Sequence, residues 1–455
     1  MQQPTRYFLG TFMQTLTPSA VDIWPDALIS VSGAGVIESV HQADDLHYDE
    51  AVQLARTSEY FYQAAEGSFF LPGMVDLHIH APQWPQLGKS LHLPLEQWLQ
   101  QCTFPLEARY AELEFAEPVY RSLVDALLCN GTTSAVYFAT IHGAATELLA
   151  QLCVEKGQRA WVGRVAMDEP AQCPSYYRDQ SAEEGLIATE ESIRSIRALP
   201  GNDLQRVQPI ITPRFIPACT DKMLQGLGSL AEQYQCAVQT HCSESDWEHQ
   251  FVLDRCGMSD TQALQDYGLL TDRTVLAHAN FISDDDMHII RRKLAGIAHC
   301  PLSNQYFANS VFPLRRALDN GVRVGLGTDI SGGPSASMFD SCRHVISASR
   351  MLESGTDSHC PADKRGVDSA RADYIEAFYL ATTAGGMILD APIGQFGEGY
   401  RFDAMLIDTT RRNSNLHYFH ELDSHEDLFQ KMIYATTIDN IVSVWVDGVR
   451  RVSHT

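Results

Sequence analysis

The stretch Ser68-Phe-Phe-Leu-Pro-Gly-Met-Val-Asp-Leu-His-Ile-His80 (SFFLPGMVDLHIH, residues 68–80) separates two regimes of sequence. Pro72 and Gly73 punctuate it, and a short apolar run then ends in two histidines two positions apart. In an extended strand residues i and i+2 point to the same face, so His78 and His80 present two imidazoles to one side, where they can share a metal ion. An H-x-H pair alone is equally compatible with polar surface or core histidines, so the neighbouring sequence has to arbitrate.

Downstream of this stretch, short apolar runs alternate with longer amphipathic ones. MVDLHIH (74–80), TTSAVYFA (132–139), RAWVGRVAM (159–167), VQPIITPRF (207–215), AVQTHCSE (237–244), TVLAHAN (274–280), GIAHCPLS (296–303) and RVGLGTD (323–329) read as strands. Helix-like segments such as AEPVYRSLVDALLCNG (116–131), TDKMLQGLGSLAEQYQC (220–236) and SDDDMHIIRRKLA (283–295) separate them. Strands and helices alternating in this way predict a parallel (β/α)8 barrel over residues 71–389. Upstream, DALISVSGAGVIESV (26–40) alternates around a glycine turn as a hairpin does; downstream, FDAMLID (402–408) and IVSVWVDGVRRV (441–452) return to short strands. The two ends, 1–70 and 390–455, are therefore expected to pair into a small β-sandwich domain against the barrel.

Four predicted strands place a histidine or aspartate at the same end. Besides the H-x-H pair these are His241, His278 and Asp329, with Glu244 just past the strand that carries His241. Individually, a strand-end His caps a loop and a strand-end Asp caps the next helix. Together they converge on the C-terminal mouth of a barrel, where active sites of this fold lie. Three imidazoles and a carboxylate suit one divalent ion of borderline softness, zinc before iron or manganese. Glu244 is then placed to carry a proton.

Composition bounds the partners. A formal net charge of -24 repels phosphate backbones, which argues against a polymeric nucleic acid but is indifferent to a small neutral ligand. The first residues lack a basic start followed by an apolar run, and no stretch approaches a membrane span, so neither secretion nor membrane association is expected. The 11 scattered cysteines read as reduced thiols of a cytoplasmic protein.

PGMVDLHIH (72–80), THCSES (240–245), LAHAN (276–280) and GLGTD (325–329) occur in the order typical of the amidohydrolase superfamily, which the chain resembles over nearly its whole length, including the closing GQFGEGYRFDAMLID (394–408). HIHAPQWPQLGKSLHLPLEQWLQQCTFPLEARY (78–110), TPRFIPACT (212–220), HCPLSN (299–304) and GLGTDISGGPSASMFD (325–340) are similar to segments of one family within it, the guanine deaminases. The resemblance implies that His78, His80, His241 and Asp329 bind zinc, that Glu244 shuttles protons, and that His278 orients the attacking water. Asp329 is also implied to help deprotonate that water. Gln83 and Arg214 would hydrogen-bond a purine ring, with Phe215 on its face. It further implies hydrolysis of guanine to xanthine and ammonia, in purine catabolism, by a homodimer. The strand around PIITPRF has no lysine to bridge a second metal, which favours a single-metal site. Two other readings stay open: a related deaminase of another purine, pterin or triazine-like ring, and a metal-free scaffold that has lost catalysis.

Several neighbours carry two readings each. His299 and Cys300 are expected to pack below the mouth, and Cys242 to face the core. Gly325 and Gly327 are expected to let their strand approach the metal ligands. His92, Trp84, Trp98 and Phe104 form either a lid or a loop core. Ser331 and Ser335 are expected to form turns.

Overall fold

A computed structural model of the chain describes residues 4–308 and 310–454. Among them, eight parallel strands follow one another in sequence order around a sheet: Met74–His80, Thr132–Phe138, Arg159–Gly163, Val207–Pro213, Ala237–Cys242, Thr274–His278, Gly296–His299 and Arg323–Leu326. Each matches one of the eight runs read from the sequence. Helices between them, among them Leu113–Cys129, Asp221–Tyr234 and Asp284–Lys293, cover the outside. The sheet closes just beyond the eighth strand, where Asp329 N–H donates to the His78 carbonyl at 2.9 Å and His80 N–H to that of Ile330 at 2.8 Å.

The third strand differs from its sequence reading. RAWVGRVAM breaks at Arg164 into Arg159–Gly163 and a short piece, Val165–Ala166, which pairs with Thr212 and Pro213. At the break the Arg164 guanidinium is buried and bonds the Asp179 carboxylate. A side chain at Gly163 would collide with Thr212, whose Oγ1 lies 1.8 Å from the Cβ position.

The chain ends meet in a second, continuous sheet of eight strands. The hairpin Ala20–Val31 with Ile37–His41 lies at one edge, as the alternation around Gly33 and Gly35 predicted. Ala404–Asp408 pairs antiparallel with Ser68–Pro72 and so stitches the two termini together. One face encloses an aromatic core: Phe8 stacks on Phe402 with ring centroids 4.0 Å apart, Phe12 on Phe70 at 4.6 Å, and Trp445 packs edge-on to Phe8. Truncating a buried phenylalanine of this kind typically costs about 3–5 kcal/mol.

Ser68–Pro72 runs straight into the first barrel strand through Gly73. A Cβ there would sit 2.2 Å from Thr133 Oγ1, so only glycine lets the two sheets join at this point. The barrel and the chain-end sheet are also tied by charge. Arg159, at the start of the third barrel strand, donates to Asp403 at 3.1 Å and to Asp447 at 2.8 Å, and Arg206 donates to Asp447 at 2.7 Å. All 11 cysteines are free, and no helix of the described residues is long and apolar enough to cross a membrane.

Candidate metal centre and pocket

His78 and His80 project from the last turn of the first barrel strand, His241 from the fifth, and His278 ends the sixth. Asp329 lies three residues past the eighth. His278 and Asp329 adopt left-handed φ values of 70° and 49°, which swing their side chains off the strand line and into the mouth. All five are buried, as is Glu244. Gly327 fits its strand against His78: a Cβ there would lie 2.8 Å from that of His78, as expected of a glycine that admits close approach to the ligands.

The donor atoms converge. His80 Nε2 and His241 Nε2 are 3.0 Å apart, and Asp329 Oδ1 lies 3.2 Å from His78 Nε2 and 3.6 Å from His80 Nε2. His278 Nε2 is 3.8 Å from Asp329 Oδ2 and 3.7 Å from Glu244 Oε1. Atoms held about 2.0–2.1 Å from a tetrahedral zinc ion stand roughly 3.3 Å from one another, which is the spacing found here. Two further facts fit a cation. His78 Nε2 and His278 Nε2 are buried without a hydrogen-bond partner, an arrangement that costs free energy unless something satisfies the lone pairs. Burial also pushes all four imidazoles below their usual pKa, keeping them in the neutral form that ligates metal.

A ring of partners fixes the tautomers. His241 Nδ1–H donates to the Arg214 carbonyl at 2.6 Å, and His278 Nδ1–H to Asn304 Oδ1 at 2.9 Å, so both Nε2 lone pairs face the centre. Asn304 is itself held by donating to Asn280 Oδ1 at 2.8 Å, and Asn280 donates to the Glu244 carbonyl at 2.8 Å. Below the centre, buried Asp76 accepts from the Thr328 amide at 3.0 Å and the His78 amide at 3.2 Å, locking the first strand to the eighth. Burial, with the Asp329 charge, pushes the Glu244 carboxyl up to about 8; the Arg214 charge opposes that shift.

A pocket opens beside these groups. Its polar lining is His80, Gln83, Arg214, His241, Glu244 and Asp329, and its apolar lining includes Phe215, Leu95, Trp98, Leu99 and Phe307. Gln83, Arg214 and Phe215, expected at the substrate, thus share one cavity with His80, His241 and Asp329 of the expected ligands, while the sequence reading missed what organises them. Glu107, fully buried, accepts from Gln83 Nε2 at 2.9 Å and grips Arg214 through Nη1 at 2.7 Å and Nη2 at 3.3 Å. Gln83 Oε1 in turn accepts from the Ser331 amide at 3.2 Å. Arg214 also lies over the Phe104 ring, 4.9 Å from its centroid.

The alternatives left open in the loop after the first strand now separate. Trp98 lines the pocket and Phe104 supports Arg214, whereas Trp84 donates to Ser122 and His92 is exposed. Ser331 lies in the expected turn and its amide donates to Gln83, whereas Ser335 lies outside a turn and donates to Asp340, in the first turn of the following helix, at 2.6 Å. Cys242 is core, and His299 packs on Phe312.

Comparison with known proteins agrees with this geometry. The model of the Amidohydrolase family matches residues 69–451. A guanine deaminase of Dictyostelium discoideum is 35% identical over 454 residues, covering 97% of this chain and 97% of its own. A probable guanine deaminase of Schizosaccharomyces pombe is 38% identical over 386 residues, covering 84% of this chain and 71% of its own. Among solved structures, a guanine deaminase from C. acetobutylicum with bound guanine in its active site superposes with a TM-score of 0.86 at 31% identity, covering 98% of this chain and 100% of that one. A barrel that gathers histidines and an aspartate at its mouth, matched along most of its length by that family's model, makes this chain a member of the amidohydrolase family.

Proposed function

We propose that the chain hydrolyses guanine to xanthine and ammonia, using one divalent ion, zinc, held by His78, His80, His241 and Asp329. The observation that carries this reading is a single pocket lined by Gln83 and Arg214, both bonded to buried Glu107, together with Glu244, His80, His241 and Asp329. The full-length likeness to guanine deaminases supports the choice of ring. Bound at these donors, such an ion acidifies water, bringing its pKa from about 15.7 to about 7.

The protein's own groups supply the rest. Two donors of the Arg214 guanidinium are taken by Glu107, and the remaining N–H groups are free to bind the ring carbonyl oxygen. Gln83, its amide fixed by Glu107 and Ser331, reads the neighbouring ring edge. Phe215 packs on the ring face. His278, with Nδ1–H committed to Asn304, accepts a hydrogen bond from the attacking water at Nε2 and so orients it. Glu244 takes a proton from that water, with Asp329 assisting, and passes it to the ring nitrogen beside the amine-bearing carbon. The water oxygen adds to that carbon. The second water proton reaches the exocyclic amine, the C–N bond breaks, and ammonia leaves.

The proposal includes a cytoplasmic homodimer with a small-molecule purine as its partner, and neither nucleic acid nor membrane. The test is ammonia release and xanthine formation by purified protein, with and without chelator, on guanine, 8-oxoguanine, adenine, pterin and cytosine. Guanine is expected to be turned over fastest, and only without chelator. Faster turnover of another ring reassigns the substrate.

A further inference from the structure

The chain carries a formal net charge of -24, yet one cavity is lined by five arginines: Arg159, Arg197, Arg206, Arg273 and Arg401. It opens at the start of the third, fourth and fifth barrel strands, where Arg159, Gln208 and Ala237 lie, and so at the barrel end opposite the metal centre. Its volume of about 340 Å³ is within the range of pockets that hold small molecules.

The charges are unevenly compensated. Asp403 and Asp447 engage Arg159, Asp447 engages Arg206, and Arg401 lies 3.5 Å from Asp447. Among the described residues, no carboxylate oxygen lies within 4.0 Å of a guanidinium nitrogen of Arg197 or Arg273. Arg197 Nη2 donates instead to the Tyr234 carbonyl at 2.7 Å and to Cys236 Sγ at 3.4 Å, and Arg273 Nη1 to the Gln235 carbonyl at 3.1 Å. Two exposed cations are thus pinned on consecutive carbonyls, with donors to spare, at the rim of a cavity already rich in positive charge. Asp390 is the acidic residue in the lining. Like charges gathered this way repel, and an anion between them removes that penalty. Every cationic group in the lining is an arginine, whose planar fork matches phosphoryl oxygens two at a time. Gln205, Gln208 and Gln235 add polar groups to the lining, and Trp161, Leu389 and Ile393 give it an apolar surface.

We propose that this cavity binds a small phosphate ester, its phosphoryl group held by Arg197 and Arg273 and its organic body against Trp161, Leu389 and Ile393. This site is independent of the guanine reading. The test is calorimetric titration of the full-length, metal-replete protein with uridine 5′-monophosphate, a pyrimidine chosen to stay out of a purine pocket, alongside uridine and inorganic phosphate. The monophosphate should bind saturably, more tightly than either fragment, and more weakly as salt is raised. The double substitution Arg197→Ala with Arg273→Ala should weaken it by at least about tenfold, since charge-assisted forks are lost. Guanine turnover without added ligand should be unchanged. Because both side chains are exposed, the fold should hold; Arg197→Gln and Arg273→Gln singly provide milder variants with the same expected direction. No saturable binding, equal binding by uridine, or undiminished binding in the variants overturns the proposal.

Discussion

Glu107 holds Arg214 by two hydrogen bonds, at 2.7 and 3.3 Å, with both groups buried. The same carboxylate accepts from Gln83, so one acidic side chain aims both polar groups of the pocket wall. Its charge also lets a guanidinium reside beside a cluster of imidazoles that would otherwise meet a bare cation. Glu107→Gln keeps the shape and removes the charge. It should raise KM for guanine by about tenfold or more while leaving metal content at wild-type level, since a bidentate charge-assisted pair is replaced by a weaker neutral contact. Steady-state kinetics with metal analysis checks this. Loss of metal with unchanged KM assigns Glu107 to the support of the metal centre instead. Glu107→Ala leaves a buried charge unpaired and should destabilise the fold by about 3–5 kcal/mol.

Glu244 makes a different prediction, because the proposed reaction uses it to move protons and leaves the ion to His78, His80, His241 and Asp329. Glu244→Gln should retain metal and lose kcat by about 100- to 10,000-fold, the usual contribution of a positioned acid–base group. The check is single-turnover kinetics on metal-analysed protein. Near wild-type turnover removes the proton-shuttle role.

The barrel and the cluster of histidines and aspartate at its mouth were legible because both are written in local pattern. Each barrel strand is a short apolar run, and His78, His80, His241, His278 and Asp329 occupy the ends of such runs. Glu107 carries no such mark. It lies in a short helix, Phe104–Ala108, where a glutamate ordinarily faces water, and its partners are 24 and 107 residues away. Asp76, buried under the metal centre, was hidden the same way, since only closure of the barrel brings Thr328 to it. The break at Arg164 was invisible because apolar residues flank it on both sides, and its buried partner Asp179 lies 15 residues away. The arginine-lined cavity draws on residues from 159 to 401, none of them in a basic run.

Removing the metal should cost stability as well as activity. His78 Nε2, a proposed ligand, has no hydrogen-bond partner, so the centre without an ion leaves a buried lone pair unsatisfied. Chelation should lower the thermal midpoint and abolish turnover together, and zinc should restore both. At a free ion concentration 100 times Kd, binding adds about 2.7 kcal/mol to the folded state. Differential scanning fluorimetry against zinc concentration, run beside the activity assay, measures this. A midpoint insensitive to chelator and zinc shows that the donors do not need an ion.

Asp447 should matter to stability and not to chemistry, with a pH dependence whose sign follows from its neighbours. Burial alone would raise its carboxyl, but Arg159 and Arg206 outweigh burial and hold it below the ordinary range. A carboxyl depressed in the folded state contributes fully above its unfolded pKa, about 3.9, and that contribution fades as pH falls through the folded value. Asp447→Asn breaks a buried pair between the barrel and the chain-end sheet, and should cost about 3–5 kcal/mol at pH 7. The gap between wild type and variant should stay constant from pH 8 to pH 5 and narrow below about pH 4, where protonation removes the same charge from the wild type. Denaturant unfolding across this range measures the gap. Turnover at saturating substrate should be unaffected while the variant remains folded, because the pair lies at the barrel end away from His78. A gap that widens on acidification means that Asp447 is protonated in the native protein and that Arg159 is balanced by Asp403 alone.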